Sequence, residues 1–450
     1  MPTVKLPKNK FFAPQLSAVL LCSALLVLSC ISTEDPSSDG DPPLLPPSPW
    51  RQEAMQPIDA SGLLELQVKS FADPSGRLHT VYYTNSGDSA YPYALEHQIW
   101  DVSDGQLQLL SGPDMIIEID NNQDLGLAVD NSGTPVVAYQ GGNVRECGGD
   151  DQSDVMINLK NDGQWQESLG AMGFVERNPV LTDGLAGSNL DVAVDAAGDI
   201  HICYQFFYEG CDAMNRNYPD VKYAQRPRGE LDNQAIVEEQ IEGNLYPDFG
   251  TGIQNSVGYH CRIVLDSAEA PVVVYAVKTE FDQVYGLRAA RRNPADGNWE
   301  LEWIEEGCDV AAISAARSPV DGSLGVAYAV NEHNGVAAVT FLKFAWYKNG
   351  AWQVRMVDDK VSCGRHCSVA FDSAGRPAIA YYETKSHTGY TLQNLKLAEF
   401  NGSLWETSQV ASYGNIGLYN SLWFDAADRA YICTYSDSQK EILLYRRERK

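Results

Sequence analysis

The sequence predicts an all-β protein: a seven-bladed β-propeller of four-stranded antiparallel blades, its ring closed by an N-terminal strand that completes the last blade. Three observations predict it. A strand–turn–strand segment marked by Asp and Tyr recurs seven times. Two further strand signatures lie between successive recurrences. The chain also runs out one strand early at its C-terminus and carries a spare strand near its N-terminus.

The recurring segments read SFADPSGRLHTVYY, LAVDNSGTPVVAYQ, VAVDAAGDIHICYQ, IVLDSAEAPVVVYA, AARSPVDGSLGVAYA, VAFDSAGRPAIAYY and LWFDAADRAYICTY. Their Asp falls at Asp73, Asp130, Asp195, Asp266, Asp372 and Asp425, with Pro319 in its place in the fifth copy. Gly76, Gly133, Gly198, Gly322 and Gly375 supply the positive φ of a tight turn. Glu269 and Asp428 stand at that position in copies four and seven, so those two turns are expected to differ. Nine residues past the marker comes Tyr82, Tyr139, Tyr204, Tyr275, Tyr328 or Tyr381, and in the last copy Tyr435 stands one place later. The period runs from about 52 to 71 residues, the scale of propeller blades.

A third strand alternates apolar with polar residues in DVKYA, GLRAA, FLKFA and NLKLA. A fourth follows a Gly or Asn turn and contains Trp299, Trp352 or Trp405. An isolated four-stranded sheet cannot bury both faces, whereas seven packed around an axis can. After Asp425 only 25 residues remain, enough for three strands. Trp50 lies 23 residues before Asp73, so the segment that follows it is expected to supply the missing fourth. Closure removes exposed strand edges that invite aggregation.

Ahead of this domain, assigned to residues 50–450, the chain divides in two. Residues 1–29 carry Lys5, Lys8 and Lys10 and then an apolar stretch, the pattern of a secretory signal. Val27-Leu28-Ser29-Cys30 resembles the lipobox of bacterial lipoproteins, which implies acylation of Cys30 and cleavage before it. An uncleaved membrane anchor is the alternative. Residues 30–49 are acidic and rich in Ser and Pro, a solvated tether. By resemblance to Gram-negative lipoproteins, Ile31 after the cysteine implies the outer membrane.

The formal charge is −27, and loss of residues 1–29 removes three lysines and no acid, taking it to −30. That excludes charge-driven binding to nucleic acid or anionic lipid, so the membrane contact expected here runs through the lipid anchor alone. The DxxG turns are short and uniform, whereas the segments after the Tyr strands are long and varied. Recognition is therefore expected on the long-loop face. Those loops bring Tyr91, Tyr93, Arg145, Phe206, Phe207, Tyr208 and Arg216 to one rim, where aromatics beside polar groups suit a sugar or a peptide. The alternative is that these aromatics pack on one another.

Six residues before each marker, at the channel mouth, stand Gln67, Asp124, Asn189, His260, His366 and Tyr419, with Ile313 in the fifth copy. The frames YHCRIVLD and RHCSVAFD make the two histidines candidates for ligand contact or for base chemistry with Tyr419 or Asp124. A water-filled channel lined by polar side chains is the plainer reading. The two histidines could also bind a metal, but ligands two blades apart would have to converge across the channel, so neither a metal nor another cofactor is expected. Outside the cytoplasm the cysteines read as disulfides: Cys147 with Cys211, Cys261 with Cys308, Cys363 with Cys367. Cys203 and Cys433 share a position in the Tyr strand and read as buried free thiols.

The DxxG repeats resemble the blades of sialidase-like (BNR-type) propellers, although the Asp box SxDxGxTW is absent and no arginine triad can be assigned. GRLH ending at His79 and GDIH ending at His201 are similar to the D-x-x-G-x-x-H repeats of propeller polysaccharide lyases. That resemblance implies a His or Tyr base beside an Arg that neutralises a uronate, with His260, His366, Tyr419 and Arg145 as candidates. The reading is thus a surface-anchored, non-enzymatic propeller whose ligand is a glycan or protein at the cell surface. A lyase-like enzyme and a structural part of an envelope assembly are the alternatives.

Overall fold

The computed structural model describes residues 49–59, 67–102, 107–119, 124–141, 154–161, 163–171, 184–208, 219–228, 235–243, 256–278, 285–333, 338–360, 362–387, 390–412 and 415–447. The signal segment, the tether with Cys30, and residues Arg145, Cys147, Cys211 and Arg216 lie outside them. The described strands form seven four-stranded antiparallel sheets, six in sequence order and the seventh completed by the N-terminal strand. Blade 1 comprises Val68–Ala72, Arg77–Asn85, Tyr93–Asp101 and Gln108–Ile119. Blade 7 comprises Ile416–Phe424, Ala430–Ser436 and Glu441–Arg447, with Trp50–Pro57 as its outer strand. Trp50 pairs with Arg447 and Pro57 with Glu441, so the ring closes as the missing strand requires. Successive inner strands contact one another around the axis, and the first touches the last.

The core lies between blades. One apolar cluster joins Tyr223 and Cys203 of blade 3 to Val257, Ile263 and Tyr275 of blade 4. Another joins Ala378 and Leu397 of blade 6 to Leu422, Ile432 and Leu443 of blade 7. Each blade thereby buries both faces, and its recurring residues have a shared task. The outer-strand Trp wedges edge-on against the third strand of the preceding blade: Trp165 against His97, Trp299 against Tyr223, Trp405 against Phe344, with centroids 5.1–5.2 Å apart. The marker Tyr and the third-strand cation share a carboxylate from the outer strand of the preceding blade. Tyr328 donates to Glu305 at 2.5 Å and Lys343 reaches the same side chain at 2.7 Å. Tyr381 and Lys396 do likewise on Asp358, and Tyr275 and Arg288 on Glu242.

The marker Asp holds its own turn. Asp372 Oδ1 accepts the backbone N–H groups of Ala374 and Arg376, while Oδ2 takes the Arg376 guanidinium. Asp73 does the same for Ser75 and Arg77. Burial works to raise the Asp73 carboxyl, but the Ser75 and Arg77 hydrogen bonds outweigh it and hold it near 2.

Three expectations change here. Glu269 and Asp428 adopt φ of 60° and 57° and donate to the marker carbonyl as glycine does, so their turns do not differ. The strain of a left-handed non-glycine residue, roughly 1–2 kcal/mol, is held by the Asp frame and by cross-blade bonds. Asp428 accepts the Ser373 N–H and hydroxyl at 2.7 Å, and Glu269 accepts the Ala196 N–H at 3.2 Å. In the fifth copy the marker position belongs to Ser318, not Pro319. Ser318 accepts the Gly322 N–H across a turn one residue longer than its counterparts.

The bridges proposed for Cys261, Cys308, Cys363 and Cys367 are absent, and all four are buried free thiols. Cys261 lies between blades 3 and 4, whereas Cys308 lies between blades 4 and 5. Cys363 donates to the Asp358 carbonyl and Cys367 to the Ala327 carbonyl, so each thiol already has its own acceptor. Cys203 and Cys433 are buried free thiols as expected.

Candidate functional site

The channel mouth is built from a backbone irregularity that recurs in four blades. Asn189, His260, His366 and Tyr419 all take left-handed conformations, with φ between 50° and 55°. Two residues before each stands a glycine that is also left-handed: Gly187, Gly258, Gly364 and Gly417. The strand register shifts at each of these places, as a β-bulge requires. Glycine is needed because a Cβ on Gly364 would stand 3.1 Å from Leu342 Cβ, and one on Gly258 would stand 3.1 Å from Val221 Cβ, at a φ that side chains avoid. Gly-x-(Asn/His/His/Tyr) is therefore a sequence signal, and it passes unnoticed when each blade is aligned only on its Asp.

Blades 1 and 2 have short, regular inner strands, with Gln67 and Asp124 just ahead of them. In blade 5 the residue six before Ser318 is Ala312; Ile313, expected at the mouth, is buried in the core between blades 4 and 5. The polar ring is open at that blade.

The structure joins four of the expected mouth residues in one hydrogen-bonded run and pairs the other two. Gln67 donates to Asp124 at 3.1 Å, Asp124 accepts the Asn189 N–H at 2.5 Å, and Asn189 Oδ1 accepts the His260 N–H at 3.0 Å. On the other side, the His366 ring lies edge-on to Tyr419 with centroids 5.0 Å apart, and to Tyr382 at 5.9 Å. Asn420 donates to the His366 carbonyl at 2.9 Å. One step deeper the blades are stitched by side chains two residues further on. Asp191 accepts the Ile263 N–H, Ser314 that of Val369, Ser368 that of Leu422, and Ser421 that of Ser70.

Gln67, Asp124 and Asn189 thus spend their polar groups on the scaffold. His260 and His366 do not: among the described residues no group hydrogen-bonds either imidazole. Burial, and then Arg262, hold the His260 imidazole near 4; burial, and then Arg365, do the same for His366. Both rings are neutral at pH 7. Arg365 acts on both of them, so it lies within electrostatic reach of both histidines.

Sequence reasoning missed Lys69, Arg262 and Arg365. Lys69 comes from blade 1 and Arg262 from blade 4, at the same depth of the channel as Asp191. Burial first, and Arg262 second, lower the Lys69 amine to about 8, against the pull of Asp191 and Asp124. Lys69 and Arg365 thus lie within electrostatic reach of His366, and Arg262 and Arg365 within reach of His260, with Asp124 and Asp191 among them; Arg262 also donates to the Cys261 carbonyl at 2.7 Å.

Of the rim aromatics, Tyr93 and Phe206 are core residues rather than rim residues. The Tyr93 ring meets Tyr83 edge-on, and Lys222 Nζ sits 3.6 Å over the Phe206 ring. Tyr91 is 52% exposed. The side chains of Phe207 and Tyr208 lie outside the described residues. His79 and His201, which carry the lyase-like repeat, are buried beside Asp73 and Asp195, where they brace the short turns.

No protein-family model and no curated protein matches the sequence. Among solved structures the chain is similar to a polysaccharide lyase, an ulvan lyase. With saccharide bound, that lyase gives 10% identity and a TM-score of 0.53 over 87% of this chain and 95% of that one. A second structure of that lyase gives 10% identity and 0.52, over 87% and 93%. A Hadza microbial sialidase gives 12% identity and 0.45, over 80% and 74%. At these identities the likeness is one of fold.

Proposed function

We propose that this protein is an exported, lipid-anchored propeller that binds an acidic glycan at its channel mouth without turning it over. The observation that carries the reading is that the imidazoles of His260 and His366 accept no hydrogen bond among the described residues and have Lys69, Arg262 and Arg365 within electrostatic reach. Guanidinium groups pair with carboxylates or sulfates in two-pronged fashion. Neutral imidazoles accept from sugar hydroxyls or donate to them. The address rests on the basic, apolar and Cys30-terminated start of the chain.

A thermal-melt screen of the full-length protein in detergent tests this. Polygalacturonate or alginate at a hundred times its dissociation constant should stabilise the fold by about 2.7 kcal/mol. Dextran should not, and Arg262→Met should abolish the shift. Equal shifts with neutral and acidic glycans, or none with either, would reject the reading.

One observation favours a lyase instead: the neutral His366 ring lies against Tyr419. A neutral imidazole can take the proton beside a uronate carboxylate while the leaving sugar oxygen departs with a proton from a neighbouring hydroxyl. An ultraviolet-absorbing unsaturated product formed by the wild type, and lost in His366→Ala and His260→Ala, would establish turnover.

A further inference from the structure

A cavity of about 610 Å³ lies between blades 4 and 5. That is within the range of small-ligand sites, about 300–1,000 Å³. Its wall alternates donors and acceptors. Lys278 Nζ stands 3.5 Å from Asp309 Oδ1, and Lys343 Nζ 2.7 Å from Glu305 Oε1. Tyr285 also lines it. Asn331 donates from Nδ2 to Asp309 Oδ2 at 3.0 Å, but its buried Oδ1 has no hydrogen-bond partner among the described residues. Leaving a buried amide oxygen unpaired is unfavourable, and a ligand hydroxyl would satisfy it.

The wall carries the acids Glu305, Asp309 and Glu332 against the cations Lys278 and Lys343, which disfavours a further anion. A molecule whose groups both donate and accept matches it, and sugar hydroxyls do both. Lys278 ties the cavity to the mouth. Its ammonium lies 5.1 Å over the ring of Tyr259, the residue before His260, and within electrostatic reach of the His260 imidazole.

We propose that the cavity between blades 4 and 5 is a second saccharide subsite, which takes the sugars flanking the acidic unit held at the channel mouth. The inference rests on reading the mouth as a glycan site. It makes the protein a reader of chain length as well as of charge.

Calorimetric titration of the full-length protein with a glucuronate-containing disaccharide and with a hexasaccharide in which a single glucuronate is flanked by neutral hexoses tests it. The hexasaccharide should bind at least tenfold tighter than the disaccharide. Asn331→Leu should remove most of that advantage and leave disaccharide affinity unchanged. Asp309→Asn, a smaller change at a partly exposed side chain, should do the same and serves if Asn331→Leu folds poorly by its melt. Unchanged hexasaccharide affinity in both variants would overturn the subsite while leaving the mouth intact. Failure of the wild type to bind either probe would instead remove the mouth reading, and the subsite with it.

Discussion

Asn189 Oδ1 accepts the backbone N–H of His260 at 3.0 Å, across the boundary between blades 3 and 4. Both residues are left-handed, at φ of 53° and 55°, so the bulge of one blade is hydrogen-bonded to the bulge of the next. Asn189 also donates to Gln205 at 2.8 Å, and Gln205 donates to the Val257 carbonyl at 2.8 Å. The unengaged His260 ring thus stands on a framework two blades wide.

Asn189→Gly separates backbone strain from side-chain support. Glycine adopts the same φ without cost, so the variant loses only the hydrogen bonds. The expected loss is about 1–3 kcal/mol in chemical denaturation, with glycan affinity at the mouth falling more than the loss of fold explains. A variant with wild-type affinity would show that His260 needs no such support.

Binding of an acidic oligosaccharide should weaken as pH rises through about 8, where the Lys69 amine loses its proton. The groups facing Lys69 are Arg262, Asp191, Asp124 and the Cys203 thiol, which burial pushes well up. Calorimetry at pH 7 and pH 9 should show the decline in the wild type and a flat response in Lys69→Met. An equal slope in both would place the titrating group elsewhere.

Stability should fall on mild acidification. Burial holds the imidazoles of His97 near 3 and of His260 and His366 near 4, and lowers those of His79 and His201. In the unfolded chain these groups bind protons near pH 6.5. Between about 6.5 and 4 the unfolded state therefore binds more protons, and unfolding gains. Asp73 and Asp321, held near 2, add a second loss as pH drops below about 3.8. Melting temperature should be level above pH 7 and decline below 6.5. A plateau extending to pH 5 would contradict the burial of these rings.

Lys396→Met should destabilise by about 3–5 kcal/mol. Lys396 reaches Asp358 at 2.7 Å and Glu383 at 3.1 Å, and its side chain is 6% exposed. Removing it leaves two buried carboxylates facing each other beside Tyr381. Adding Asp358→Leu should restore part of the loss, and equal stability of the single and double variants would dissociate the pair.

Local chemistry made the propeller legible. The marker Asp accepts from N–H groups two and four residues ahead of it, the turn position three residues on takes a left-handed φ, and the strands alternate with period two. All of this happens within about ten residues of chain, so it is written in spacing. The polar ring was legible for the same reason, because position along an inner strand sets depth in the channel. The bulge glycines at Gly187, Gly258, Gly364 and Gly417 were equally readable, but only when the copies are compared there.

Other features depend on what the neighbouring blade presents. Tyr93 and Phe206 read as rim residues and proved to be core, because strands of their own and adjoining blades cover them. The cysteines expected in pairs fall into different inter-blade clusters or onto separate carbonyls. Lys69, Arg262 and Arg365 are scattered through the chain, and only the fold brings them within electrostatic reach of His260 and His366. By itself, then, the sequence determined blade number, strand order and ring closure, since turn chemistry and strand period act between residues close in the chain. The tertiary structure decided which side chains are free to meet a ligand, since exposure, proton affinity and charge at the mouth are sums over blades hundreds of residues apart.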